Sequence, residues 1–76
     1  MNSETVNIWW DNFKEENVVS KESLKREIEE IKGSIKNEAL WARGSTDKED
    51  ADMHLNNIRD MHEYLDLLHV KLGELK

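Results

Sequence analysis

From Ala51 to Leu75 the chain sets Ala51, His54, Ile58, Met61, Leu65, Leu68, Leu72 and Leu75 at alternating spacings of three and four. A helix of 3.6 residues per turn brings such positions onto one narrow edge, and that edge is stable only against another apolar edge. An upstream series supplies one: Leu24, Ile28, Ile31 and Ile35, then Glu38 or Ala39, then Ala42. The chain therefore reads as all-α, built on a long antiparallel helical hairpin with one short helix before it.

The boundaries follow from capping chemistry. A first helix is expected from about Glu4 to Glu16, with Ser3 as its N-cap and Val6, Trp9, Trp10 and Phe13 on one face. Asn17, Val18 and Val19 break the rhythm, being mediocre helix formers. Ser20 then caps a second helix through the amide of Ser23, with Val19 and Leu24 placed for a hydrophobic staple. This helix is expected to run from about Lys21 to Arg43, roughly 34 Å at 1.5 Å per residue. Gly33, midway along it, marks a weak point, a slight bend or a close approach by another helix. Gly44 reads as a left-handed residue just past the helix end. Thr46 with Glu49 reads as a capping box that opens a third helix, expected from about 47 to 72. A break this short joins antiparallel neighbours, and the three helices make a single domain over 1–76.

A chain of 76 residues is small enough that its core alone is marginal, and it has no cysteine to staple it. The first helix is about half as long as the others, so part of the hairpin groove stays uncovered in a monomer. We therefore expect a homodimer forming a helical bundle, with Leu65, Leu68, Leu72 and Leu75 at the open end as its interface. A monomeric three-helix bundle is the alternative.

Charge narrows the function classes. The net charge is −6, divided as −3 over residues 1–20, +1 over 21–43 and −4 over 44–76. Phosphate attraction dominates nucleic-acid affinity, so direct nucleic-acid binding is not expected, whereas a basic protein surface suits this chain. No stretch approaches 18 apolar residues, so no membrane span is expected, and the first seven residues lack the features of a signal peptide. These features lead us to expect a cytoplasmic protein. Eight lysines against three arginines fit an AT-rich genome, such as that of a low-GC bacterium or its phage.

Candidate chemistry is sparse. Adjacent helical residues point about 100° apart, so Trp9 and Trp10 cannot both enter one groove. Trp10 or Trp41 is then available as an aromatic anchor for a partner protein, with Asp60, Glu63 and Asp66 as acidic contacts. His62, Asp66 and His69 share one helix face at a spacing seen among metal ligands, but one helix presents at most two ligands comfortably to an ion. His62-Glu63 opens like a zinc-protease motif, yet the second histidine follows seven residues on instead of four. No cofactor or metal is expected. His54 and Glu38 occupy seam positions near the turn, where an antiparallel hairpin lets them meet as a polar pair.

Two acidic pairs, Glu27 with Glu30 and Glu63 with Asp66, resemble the ExxE…ExxD pattern of the all-α nucleotide pyrophosphohydrolases. That resemblance implies a Mg²⁺ held by these four acids. Against it stands a solvated face with pairs such as Glu22–Arg26 and Glu27–Lys32. Lys21, Lys25, Lys32 and Lys36 form a basic stripe expected to pair with acids of the third helix or of a partner subunit. The reading that best fits the whole chain is a non-enzymatic regulator or adaptor that docks on a partner protein. The alternative is a phage-type inhibitor whose acids Asp47, Asp50, Asp52, Asp60, Glu63 and Asp66 imitate nucleic-acid charge.

Overall fold

A computed structural model describes residues 4–75. They form three helices, α1 (Glu4–Glu16), α2 (Lys21–Gly44) and α3 (Lys48–Glu74). No strand occurs among the described residues, and α2 and α3 pack along their length as the expected hairpin. The expected cap Ser3 lies outside the described residues.

The α1–α2 connection closes as its sequence predicts. Asn17 turns both its backbone amide and its side-chain amide onto the Phe13 carbonyl, at 2.9 and 3.2 Å, which ends α1. The Ser20 hydroxyl accepts the Ser23 amide at 3.1 Å while the Ser23 hydroxyl accepts the Ser20 amide at 2.9 Å. This reciprocal box satisfies two amides that α2 would otherwise leave unpaired.

The α2–α3 connection differs from the expectation. Gly44 is the last residue of α2, and among the described residues none has a positive φ. The chain instead leaves the helix through Ser45, in an extended conformation with φ −77° and ψ 131°. The cap of α3 is Asp47, not Thr46: its carboxylate accepts the Glu49 amide at 3.0 Å. A carboxylate at this place also meets the positive end of the helix dipole. The Ser45 hydroxyl donates to the Asp47 carbonyl or the Asp50 carboxylate, 3.1 and 3.0 Å away, and so braces the turn without any left-handed residue.

The buried core is Val6, Phe13, Leu24, Ile28, Tyr64 and Leu68, with Trp9, Trp10, Ile31, Leu65, Leu67, Leu72 and Leu75 packed against it. It lies at the open end of the hairpin, because α1 folds back there from the start of α2. Thirteen residues of α1 span about 20 Å, whereas 24 residues of α2 span about 36 Å. The molecule is accordingly elongated, 45 × 21 × 20 Å. Its turn end carries no third helix, and Leu40, Trp41, Met53 and Leu55 are exposed there.

Gly33 has no neighbour within 4 Å of the place where a Cβ would sit, so no helix approaches it closely. Glycine inside a helix costs about 0.5–1 kcal/mol relative to alanine. Gly33→Ala is therefore expected to stabilise the fold by about that amount in urea titration followed by circular dichroism. A destabilised variant would show that the position is not open.

Candidate functional site

α1 is positioned by its aromatic face. Trp9 meets Tyr64 of α3 edge to face, with ring centroids 5.6 Å apart. Trp10 stacks on Phe13 at 5.8 Å, and the ammonium groups of Lys14 and Lys71 lie 5.7 and 5.6 Å from its ring centre. Trp10 is thus half-buried between its own helix and the end of α3, and its role is to dock α1. Its capacity as a free anchor is correspondingly small, for a stacked ring must leave these partners to reach another protein.

α1 lies against α3 and does not reach the backbone of α2. Between α1 and α2 this leaves a cleft of about 490 Å³. Trp9, Phe13 and Tyr64 give it aromatic walls, and Glu16, Glu27 and Glu30 give it carboxylates. The Tyr64 hydroxyl donates to Glu27 at 3.1 Å across the hairpin. Burial holds the Glu27 carboxyl above its ordinary range. The Tyr64 hydrogen bond pulls it the other way, while the negative charges of Glu30 and Glu16 raise it further. Burial also pushes the Tyr64 phenol well above its ordinary value of 10.0, and the adjacent Glu27 charge adds to that shift.

Tyr64 is the sole tyrosine, so phenolate absorbance reports it alone. Its folded value lies above its unfolded value, so the stability it contributes is fully present below about pH 10. That stability is lost as pH rises through the folded value. Phenolate absorbance at pH 10 is expected to lag far behind a free tyrosine and to appear together with alkaline unfolding. Tyr64→Phe should flatten the alkaline fall in stability; an ordinary titration of the wild-type phenol near 10 would contradict the buried contact.

At the turn end His54 and Glu38 meet as the seam predicts. His54 Nδ1 lies 2.5 Å from Glu38 Oε2, and its Nε2 lies 3.7 Å from Asp50 Oδ2. Both members of the closer pair are half-buried, so they hold α2 and α3 in one register by a polar contact inside an otherwise apolar seam. The neighbouring Ser45 hydroxyl turns to Asp50 and the Asp47 carbonyl, not to the imidazole. Beside it, Leu40 and Trp41 share a shallow hollow with Asp47 and Asp50.

The other candidates stay apart. Asp60 and Glu63 are half-buried and Asp66 is exposed, along the middle of α3. Asp60 follows Asp50 by ten residues, about 15 Å of helix, which separates these acids from Trp41. Asp50 and Asp52 point about 160° apart, so the six acids beginning with Asp47 form no single stripe. Glu63 and Asp66 point about 100° and 160° away from Tyr64, the residue through which α3 reaches Glu27. The two pairs of the pyrophosphohydrolase pattern therefore do not converge. His62 and His69 are exposed, and among the described residues no group of three histidine or acidic side chains is placed to hold a metal ion. Lys32 of the basic stripe bridges to Glu29 of its own helix at 3.8 Å, not to Glu27.

The four leucines expected at a subunit interface fall in or against the chain's own core. Leu68 is fully buried, and Leu65, Leu72 and Leu75 pack against the core cluster. α1 covers these four leucines, and exposed apolar side chains remain at both ends: Val18 and Val70 at the open end, Leu40, Trp41, Met53 and Leu55 toward the turn. Among the described residues no helix is long and apolar enough to cross a membrane.

The Glu27–Tyr64 pair and the cleft around it were not legible from spacing. Tyr64 sits one position off the α3 seam, on the edge facing α1, and only the placement of α1 reveals that edge. Comparison with known proteins finds no matching family model, curated protein or solved structure.

Proposed function

We propose that this protein is a non-enzymatic interaction module that acts as a regulator or adaptor by docking its hairpin turn on a larger protein. The supporting observation is Trp41, 68% exposed in the last turn of α2. A tryptophan carries a large apolar surface whose burial is favourable, and such residues dominate binding energy where they enter a desolvated pocket. Leu40 beside it is also exposed, and Asp47 and Asp50 line the same hollow. The complementary surface is an apolar pocket ringed by lysine or arginine, consistent with the net charge of −6.

Exposure makes the test clean. Trp41→Ala removes no core contact and is expected to change stability by no more than about 0.5 kcal/mol. In affinity capture from a lysate of the source cells, a protein retained by the wild-type chain should be lost at least about tenfold from the variant. Its retention should also fall with salt, because the rim charges are screened. Equal capture by both chains, or capture indifferent to salt, would remove the turn end as the docking surface.

A further inference from the structure

The cleft between α1 and α2 is separate from the turn-end contact, and its chemistry points to a different ligand. Three carboxylates, Glu16, Glu27 and Glu30, line it against one base, Arg26. Glu27 is half-buried at its floor on the Tyr64 hydroxyl, while Glu30 is exposed on the next turn of α2. Burial is the main reason the Glu27 carboxyl is raised, and the nearby Glu30 and Glu16 charges add to it, so the acids also repel one another. Bringing them together costs free energy in the free chain, and an incoming cation would relieve that cost. Trp9, Phe13 and Tyr64 supply ring faces and edges in the same cleft, and aromatic faces attract cations.

We infer that this cleft binds a short basic peptide segment of a partner protein, with one arginine side chain entering between the aromatic walls to meet Glu27 and Glu30. Arginine fits better than lysine for two reasons. Its planar guanidinium stacks on rings, and its fork of donors matches two carboxylates one helical turn apart. A volume of about 490 Å³ lies in the range of sites that take a drug-sized ligand, which is room for one arginine side chain in an open cleft. The apolar walls accept the aliphatic stem, and the acids at the floor and rim reject an acidic segment.

The test uses the full chain, labelled with ¹⁵N, and two probes: acetyl-Ala-Arg-Ala-amide and acetyl-Ala-Gln-Ala-amide. The arginine peptide is expected to shift the Trp9 indole N–H and the amides around Glu27 and Glu30, leaving the Trp41 indole in place. Its affinity should exceed that of the glutamine peptide by about tenfold, as expected for charge-assisted hydrogen bonds. Glu27→Gln with Glu30→Gln should abolish the difference. Glutamine at position 27 keeps an acceptor for Tyr64, and Glu30→Gln alone, at an exposed position, should weaken binding even where the double variant folds poorly. Equal affinity for both peptides, no shift by about 10 mM peptide, or shifts centred on Trp41 would each overturn the inference. Because the readouts are Trp9 and Trp41 separately, failure here leaves the turn-end contact standing, and the reverse holds.

Discussion

Leu68→Ala is expected to cost about 2–5 kcal/mol. Leu68 has no solvent exposure and sits in the core cluster with Leu24, Ile28 and Phe13, so residues of all three helices surround it. Truncation removes its transfer energy and leaves a cavity that three packed helices cannot all close. A domain of 76 residues has about 4–11 kcal/mol of total stability, so the loss is a large share. Leu55→Ala, at a residue 54% exposed on the same helix, is expected to stay within about 0.5 kcal/mol of wild type. Urea unfolding of the two variants separates the cases. A Leu68 variant within about 1 kcal/mol of wild type would mean that the open end is not sealed within one chain.

That pair of leucines shows what could be read from the sequence and what could not. The alternation of three and four from Ala51 to Leu75 identifies a helix edge, and the matching edge in α2 identifies its partner. These are local periodicities, and the hairpin follows from them together with the Ser20–Ser23 box. The edge does not say which of its residues a third helix will cover. α1 leaves the start of α2 through a short connection, so it must fold back over the open end, and Leu68 becomes core instead of interface. Turn geometry is equally hard to read at single-residue resolution. Thr46 and Asp47 are both good caps, and the choice between them rests on where Ser45 can brace the turn. The polar pair of His54 and Glu38 was legible because both lie on the seams. Tyr64 was not, because it lies one position off the seam and its ring partner Trp9 belongs to a helix whose placement the seams do not encode.

Phe13→Ala tests that placement directly and is expected to cost about 3–5 kcal/mol. An isolated helix of 13 residues is marginal in water, so α1 owes its order to docking. Val6 and Phe13 are its buried residues, and Phe13 also supplies the ring on which Trp10 stacks. Removing that ring takes away the last buried contact before Asn17 and frees Trp10 from one of its faces. The helix ladder of α2 and α3 does not depend on Phe13, so the loss should fall first on α1. In hydrogen exchange, α1 amides are expected to exchange roughly a hundredfold faster or more, ahead of the amides of α2 and α3. Emission from Trp9 and Trp10 should shift toward that of water-exposed indole, while Trp41, already exposed, contributes no change. Two further consequences follow from the geometry. Undocking α1 opens the cleft beside Glu27, so binding of the arginine peptide should fall with α1 order, and it also uncovers Leu24, Tyr64 and Leu68, so self-association should rise with concentration. If α1 amides in the variant stay as protected as those of α2, the helix is held by something other than its aromatic face, and the cleft it forms with α2 loses its physical basis.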